Sequence, residues 1–304
     1  MNTPRFSVLI NNYNYADFVT QAVESAHAQI LPAHEIIVVD DGSKDQSVAV
    51  LTALKARIAK LVVHSQPNGG QLSAFRKGIE LATGDWCVFL DADDEWTPQH
   101  LAQAAAVLEA NPQVSAYYSG HRETSGPPMY RTKWPEGMVG PVAALVAATR
   151  TRVGTITSTI ALRRDLARKL MTLDRGFDAD WRIRADDCLL FGASLAGAVF
   201  YYHPEPTALY RIHARNGYAN KDNQLDEYLY TFKRARLFRA FQDSFGIESS
   251  EQLANLLAES RFPQNRRAAK IQRRYLRAMW RTEAGLIPRL KCLYKASLLA
   301  GGQQ

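Results

Sequence analysis

The chain has 304 residues and a net charge of +7, which suits one large α/β domain with an extension, or two small domains. Its apolar fraction of 46% is that of an ordinary globular protein. We expect neither a bilayer-spanning helix, since no run reaches about 18 apolar residues, nor a signal peptide. The three cysteines form no Cys-x-x-Cys pair, which argues against a zinc site or a disulfide framework and favours a reducing cytosol.

The positive charge is concentrated at the C-terminal end of the chain. Residues 261–304 contain eleven lysines and arginines and one acid. The preceding 260 residues carry 26 basic and 29 acidic groups, so they are close to neutral. The sequence therefore predicts a protein in two parts, of which only the C-terminal part favours an anionic partner.

Strands and helices alternate through the first 110 residues. Strands are predicted at 6–11, 35–40, 61–64 and 86–90, and the clearest helices at 17–29, 71–82 and 98–110. The second strand is apolar throughout, which is typical of a strand inside a parallel sheet. This order predicts a doubly wound α/β unit.

Polar residues follow each of the first three strands, in Asn11-Asn12-Tyr13, Asp40-Asp41-Gly42-Ser43 and Asn68-Gly69-Gly70. Such strand ends lie at one edge of a parallel sheet, where ligands commonly bind. A tyrosine can stack on a base, a carboxylate can accept a hydrogen bond from it, and glycine allows close approach of the backbone. We predict a nucleotide site. Both glycine-rich phosphate-binding motifs are absent, so a diphosphate would be held mainly by a metal.

The fourth strand ends in the acidic motif Asp91-Ala92-Asp93-Asp94-Glu95. Its carboxylates should repel one another and raise their own pKa values unless a cation is bound. Mg²⁺ and Mn²⁺ prefer such oxygen ligands. The alternative is a solvated acidic turn before the helix that starts near Pro98.

The segment 111–215 is predicted to complete the cleft. Strands are expected at 114–119 and 156–162, cleft-lining loops or a mobile lid at 121–137, and a closing pair of strands at 198–203 and 207–213. Asp186 and Asp187 open a predicted amphipathic helix. They either interact with the helix dipole or direct a carboxylate into the cleft.

Residues 216–304 are predicted to be helical, at about 226–245, 249–259 and 265–282. The last helix has one basic face and one apolar face. Pro288 breaks this pattern, and Leu290, Leu293, Leu298 and Leu299 continue it with Arg289, Lys291 and Lys295. These basic helices could lie on an anionic membrane, or the apolar face could pack on the preceding domain or on a second subunit. We expect no nucleic-acid partner.

The chain resembles the family 2 glycosyltransferases over about residues 5–215. The matching motifs are Val39–Ser43, Asn68–Gly70, Gly84-Asp85 with Phe89–Asp94, Asp186-Asp187, and Tyr210–His213. The resemblance implies the GT-A fold, an α/β fold with a Rossmann-like, mostly parallel central sheet and flanking helices. It further implies a catalytic domain at 1–215, divided into a nucleotide-sugar-binding half (1–110) and an acceptor-binding half (111–215), followed by a basic helical extension at 216–304.

The resemblance also implies roles for individual residues. The implied donor-binding set is Asn11, Asn12, Tyr13, Asp40, Asn68, Gly70, Arg76, Asp91, Ala92 and Asp93. Asp40 would read the base, Asp93 and His213 would hold Mn²⁺ or Mg²⁺, and Asp187 would be the general base. Asp186 stands where the family usually has Glu, and Lys77 where members often have Asn. Arg76 and Lys77 either help to neutralise phosphate or lie on a solvated helix face.

The implied activity is inverting, metal-dependent transfer of a sugar from a nucleotide-diphosphate donor, with UDP as the expected nucleotide. The acceptor would be a hydroxyl of a glycan or of a polyprenyl-linked or other lipid-linked carrier, in bacterial envelope or surface polysaccharide synthesis. We expect a cytoplasmic protein at the inner face of the inner membrane, with its oligomeric state open.

Two alternatives are a nucleotidyltransferase of related fold and a non-catalytic, membrane-docked binding module. Asn11-Asn12-Tyr13 replaces the basic, Gly-rich loop that a nucleotidyltransferase would need after its first strand. The acidic residues argue against a pure binder.

Overall fold

The fold is built on a nine-stranded mixed sheet. The computed structural model describes residues 3–124, 132, 134–216 and 224–301. Within them the strands are β1 Phe6–Asn12, β2 Glu35–Asp40, β3 Leu61–Ser65, β4 Trp86–Asp91, β5 Glu95–Trp96, β6 Ala116–Glu123, β7 Gly137–Val139, β8 Ile160–Arg163 and β9 Phe200–Tyr210. The order is β3-β2-β1-β4-β8-β6-β9-β5, with β7 paired to β9. The first four strands in this order are parallel, and β8 joins them antiparallel to β4.

Helices cover both faces of the sheet. In the same ranges they are α1 Val19–His27, α2 Ser47–Arg57, α3 Gln71–Leu81, α4 His100–Ala110, α5 Ala143–Thr149, α6 Arg164–Leu170, α7 Gly176–Asp180, α8 Asp186–Leu195, α9 Gln224–Phe245, α10 Gln252–Ser260, α11 Pro263–Arg267, α12 Ala269–Trp280 and α13 Leu286–Gly301. Helices α1, α2 and α4 pack on one face, and α3, α5, α6 and α8 on the other. The predicted α/β fold class is confirmed.

The uniformly apolar strands are explained by burial on both faces of the sheet. Successive side chains of a strand point to opposite faces. Val8 and Ile10 of β1 therefore lie in the core beneath α1, α2 and α4, whereas Leu9 lies in the core beneath α3. The predicted position of these strands inside a parallel sheet is thus correct, and it fixes all their C-terminal ends at one edge.

Several predicted elements of the second half are wrong in detail. The expected pair of strands at 198–213 is one strand, β9, which runs parallel to β6 through a register shift opposite Pro204–Pro206. Prolines cannot donate to the ladder, so they are tolerated at this irregularity. Strand β6 continues to Glu123, so 121–123 is strand and not loop. The rest of the predicted loop includes 125–131 and 133, outside the described residues.

Two further elements differ because of tertiary packing. Residues Thr157–Thr159 form a 3-10 turn before the short strand β8, where a longer strand was predicted. Helix α8 is not amphipathic, since Asp187 to Leu195 are all buried. It is enclosed by α5, α6 and α9, so no face remains for solvent.

The C-terminal helices pack directly on the α/β part of the chain. The apolar face of α12, with Ile271, Tyr275 and Met279, is buried in the core that also contains α5 and α8. Of the alternatives for this helix, packing on the domain is therefore the one observed. In the described parts of the chain, no helix combines the length and apolar content that crossing a bilayer requires.

Hydrogen bonds of Glu259 connect helix α10 to helix α5. Its carboxylate accepts hydrogen bonds from the backbone N–H groups of Ala144 (2.7 Å) and Leu145 (3.1 Å) in the first turn of α5, and from the Tyr275 hydroxyl (3.2 Å). Those N–H groups have no partner within their own helix. Burial raises the pKa of Glu259 to about 7.

This pKa predicts a pH dependence of stability. The folded chain binds the Glu259 proton more tightly than the unfolded chain, so its stabilising contribution is full below about pH 4.5 and is lost as the pH rises through about 7. Between about pH 5 and pH 8, the free energy of unfolding should fall by about 2 kcal/mol more in the wild type than in Glu259→Gln. Urea denaturation at both pH values measures this difference. The exposed Glu251→Gln is the control, and equal slopes for wild type and Glu259→Gln would contradict the assignment.

Candidate active site

A cleft of about 930 Å³ lies at the C-terminal edge of the parallel strands. Eight of the sequence-predicted site residues line it: Asn11, Asn12, Tyr13, Asn68, Gly70, Asp91, Asp93 and Asp187. They come from the ends of β1, β3 and β4 and from the start of α8. The volume is that of a site for a sugar nucleotide-sized ligand. The cleft thus lies at the strand ends, where the sequence predicts a nucleotide site.

Two neighbouring acids at the end of β2 have different positions. Asp40 is buried and accepts hydrogen bonds from Asn12 Nδ2 (2.8 Å) and from the hydroxyl and backbone N–H of Ser43. It does not line the cleft, which does not fit its predicted role as the residue that reads the base. Asp41 does line the cleft, and it also accepts from the N–H groups of Gly69 (2.8 Å) and Gly70 (2.7 Å).

Gly70 allows the two halves of the site to meet. Its φ of +91° favours glycine, and a Cβ there would lie 2.5 Å from Arg182 Cα. The backbone N–H of Gln71 donates to the Arg182 carbonyl (3.0 Å). The Gln71 side chain accepts from Ala185 N–H (2.8 Å) and donates to Asp91 (3.1 Å). One side chain thus connects the acidic motif to the segment before the acid pair.

Two predicted donor-binding residues lie outside the cleft. Arg76 is buried and binds the carbonyls of Met171 and Leu173 and the carboxylate of Asp178 (2.9 Å). Its position fits a structural link to α7 and not the predicted phosphate contact. The Ala92 side chain is buried in the apolar core and likewise does not face the cleft.

The acidic motif gathers three carboxylates. Asp91, Asp93 and Asp94 offer oxygen atoms within 4.8 Å of one another. Asp94 is already bound by the Ser158 hydroxyl (2.6 Å) and the Arg211 N–H (3.0 Å), which fixes the loop. Asp93 Oδ2 lies 3.0 Å from Nε2 of His213, the other predicted metal ligand.

The protonation of this cluster reflects its burial. Burial and the neighbouring Asp93 raise the pKa of Asp91 to about 8. Burial, Asp93 and Asp91 also raise the pKa of Asp94 well above its ordinary value. A divalent cation would offset this repulsion, and clustered carboxylate oxygens are the donors that Mg²⁺ and Mn²⁺ prefer. The three carboxylates therefore fit such an ion.

The acid pair lies at the first turn of α8. Asp187 is fully buried and is held by Arg152 (3.1 Å) and the Tyr230 hydroxyl, while Asp186 pairs with Arg152 at 2.6 Å. Burial and the adjacent Asp186 raise the pKa of Asp187, whereas Arg152 and Tyr230 act in the opposite direction. A carboxyl group with a raised pKa inside a cleft is suited to proton transfer near neutral pH.

Sequence reasoning missed several of these residues. The unassigned ones are Asp41, Gln71, Arg152, Asn216 and Tyr230, all of which line the cleft. Asp41 lies next to Asp40, which was assigned a role, so the motif was recognised although Asp41 itself was not. Tyr230 lies 43 residues after Asp187 in a helix of the extension, and nothing in its local sequence indicates that position.

Comparison with known proteins is consistent with this geometry. A family model described as "Glycosyl transferase family 2" matches residues 7–171. An uncharacterized glycosyltransferase of Nostoc sp. is 31% identical over 229 residues, covering 73% of this chain and 69% of that one. The amylovoran biosynthesis glycosyltransferase AmsB of Erwinia amylovora is 33% identical over 107 residues, or 34% of this chain and 36% of that one.

Among solved structures, S. aureus TarS 1–349 in complex with UDP-GlcNAc matches with a TM-score of 0.58. The alignment covers 97% of this chain and 90% of that one, at 16% identity. This likeness concerns the fold.

The raised pKa of Asp91 predicts how cation binding depends on pH. Below about pH 8 the cluster holds a proton that a divalent cation must displace, so the affinity for Mn²⁺ should rise with pH, by up to about tenfold per pH unit for one proton released. Calorimetric titration of Mn²⁺ with UDP between about pH 6 and pH 8 measures this. Asp93→Asn should lose the binding, whereas the exposed Asp165→Asn should retain it. An affinity independent of pH would contradict the prediction.

Proposed function

This chain belongs to glycosyl transferase family 2, and we propose that it is an inverting, metal-dependent enzyme that transfers a sugar from a UDP-sugar to an acceptor hydroxyl. The observation that carries the proposal is the position of two acidic groups in one cleft. The Asp91–Asp93 motif and the Asp186–Asp187 pair both line it, and Gln71 connects the segments that hold them. In the proposed division, residues 1–110 bind the donor and 111–215 bind the acceptor, while 216–304 form the extension.

In this proposal the donor nucleotide binds at the ends of β1 and β2. Tyr13 is exposed at the rim and stacks on the base. Asp41 accepts a hydrogen bond from the base, and Asp40 holds the turn that presents Asp41. TarS, whose fold this chain shares, was solved with UDP-GlcNAc, and on that likeness of fold we take UDP as the nucleotide.

Asp91, Asp93 and His213 would hold the Mn²⁺ or Mg²⁺. When bound, such a cation supplies Lewis-acid stabilisation of the negative charge on the leaving diphosphate. Asp94 keeps the loop in place through Ser158 and the backbone of Arg211. The side-chain amide of Asn216 lies 3.4 Å from Asp93 and supports that carboxylate.

Asp187 acts as the general base. In an inverting transfer the acceptor oxygen attacks the anomeric carbon on the face opposite the leaving group, and one base receives the proton of the hydroxyl. Arg152 and Tyr230 favour the ionised form of Asp187, which is the form that can receive it. Burial raises the pKa of Asp187, and this makes its carboxylate a stronger base than an exposed aspartate.

The acceptor is proposed to be a glycan or lipid-linked carrier of bacterial envelope or surface polysaccharide synthesis. The similarity to the amylovoran biosynthesis enzyme supports a polysaccharide. Arg150, Arg182 and Arg234 line the cleft and would provide positive charge for the phosphate of a lipid-linked carrier. The enzyme would then work in the cytoplasm, in peripheral contact with the inner face of the inner membrane.

Donor binding tests this proposal directly. UDP with Mn²⁺ should raise the melting temperature, because a ligand that binds only the folded chain stabilises it by about 2.7 kcal/mol at 100 times its Kd. Asp41→Asn should reduce the shift, and Asp165→Asn should not. A thermal-shift series with UDP, GDP, dTDP and their sugars, with and without Mn²⁺, measures this. A shift with GDP alone would contradict the choice of UDP, and no shift with any nucleotide would contradict the donor site.

The partners of Asp187 predict shifts in the pH profile of turnover. Tyr230→Phe removes a hydrogen bond that lowers the pKa of Asp187, so the acidic limb of the kcat/KM profile should move to higher pH. Asp186→Asn removes a repulsion that raises this pKa, so the limb should move to lower pH. Asp187→Asn should lower kcat by about 10²-fold or more and leave donor affinity unchanged. Release of UDP measures all three variants, and shifts in the same direction for Tyr230→Phe and Asp186→Asn would exclude Asp187 as the base.

A further inference from the structure

Helix α13 presents a second apolar stripe to solvent. Leu286, Ile287, Leu290 and Tyr294 are between 49% and 66% exposed. At 100° per residue these four positions fall within a sector of about 100° on the helix. Exposed large apolar side chains normally occur singly, so a stripe of four indicates a contact surface.

The stripe is separate from the face that α13 buries. Cys292 and Ala296 lie away from the stripe, and Leu293 lies beside its Leu286 edge; all three pack against the core beside α10 and α12. The helix is thus held in the fold by one apolar face, while the side chains of the stripe are about half to two thirds exposed. Lys291 and Lys295 are exposed along the border of the uncovered stripe.

The end of α12 extends this surface. Trp280 is 51% exposed, and Arg281 beside it is exposed as well. The guanidinium of Arg289 on α13 lies over the Trp280 ring, 5.7 Å from its centre, and donates to the Trp280 carbonyl at 2.9 Å. The two helices therefore present one fixed surface.

We define the α12–α13 surface by its apolar members Trp280, Leu286, Ile287, Leu290 and Tyr294 and its basic members Arg281, Lys291 and Lys295. Its five apolar residues are one third of the fifteen large apolar side chains that are exposed in the described chain, and they fall within fifteen consecutive positions. The segment 261–304 contains one acid among eleven basic residues. An apolar stripe bordered by cations is thus embedded in a strongly positive region.

We propose that the α12–α13 surface docks the enzyme on an anionic lipid bilayer. Apolar side chains enter the headgroup region, lysines remain at the anionic headgroups, and Trp and Tyr favour the interface. A second copy of the chain is a poorer occupant, because two such surfaces would bring like charges together. The inference rests on the proposed function to the extent that a lipid-linked acceptor would be met at this membrane.

This surface is only part of the one that amphipathicity alone predicts, which includes the apolar face of α12 as well as the leucines and basic residues after Pro288. On α12, Ile271, Tyr275 and Met279 are buried in the domain core. The available apolar residues lie instead at the end of α12 and along α13. Docking therefore requires no unfolding or release of the extension.

Vesicle binding tests the proposal with the full chain. The protein should sediment with mixed phosphatidylcholine–phosphatidylglycerol vesicles, not with pure phosphatidylcholine, and raised salt should weaken the binding. The other four tryptophans are buried. A blue shift of tryptophan emission on binding would therefore report Trp280.

Two variants and matched controls locate the surface. Ile287→Gln with Leu290→Gln should abolish the sedimentation, and Lys291→Gln with Lys295→Gln should weaken it about thirtyfold, since each basic residue near an anionic surface contributes to binding. The controls change exposed residues within 1–110: the single variant Ile30→Gln, and the double variant Lys44→Gln with Lys55→Gln. Both should bind vesicles as the wild type does. All of these side chains are exposed, so folding should be retained.

The outcomes separate this inference from the proposed function. Vesicle binding is measured without donor or acceptor, and UDP release is measured without vesicles. Binding that requires the α12–α13 surface supports the inference even if no transfer activity is found. Absence of binding to anionic vesicles, or equal binding by all variants, would overturn it. The protein could instead associate with itself and not bind vesicles. If Ile287→Gln with Leu290→Gln then abolished that self-association, the surface would bind a second copy of the chain and the proposal would be overturned.

Discussion

Repulsion among the carboxylates at the end of β4 is the constraint on which the site depends. Asp91, Asp93 and Asp94 lie together at the edge of a buried sheet, where charge is poorly solvated. Much of the surrounding structure offsets that cost. The backbone of Arg211 and the hydroxyl of Ser158 bind Asp94, while His213 and Asn216 bind Asp93. These partners come from distant parts of the chain, so the second half of the domain is folded around the acidic motif.

The sequence predicts where the cleft lies better than it predicts which residues line it. The parallel sheet and its strand ends follow from local patterns, because apolar strands buried on both faces are distinctive. Asp40 and Asp41 show the limit. The Asp40 carboxylate points into the turn that it shares with Ser43, whereas Asp41 lines the cleft. Which one does so depends on how the strand sits in the sheet, and the motif alone does not contain that information.

Helices of the extension show a similar limit. Amphipathicity identifies an apolar face but not its partner. The face of α12 is covered by the domain, whereas α13 has one covered face and one exposed stripe, although both helices have basic residues beside apolar ones. Tyr230 and Arg76 illustrate the same point for single residues. Long-range packing places Tyr230 in the cleft and keeps Arg76 out of it. The neighbouring sequence indicates neither position.

The hydrogen bond from Tyr230 to Asp187 has a consequence for the modularity of this enzyme. The family match ends at residue 171, before the acid pair and well before α9. A chimera joined at that border would keep Asp187 and Tyr230 together, because both residues follow it. An exchange of the extension alone between relatives would instead change the donor to a cleft carboxylate. Evolution of new acceptor preferences by recombination would then require the two segments to be inherited together, or the tyrosine to be supplied by the incoming partner.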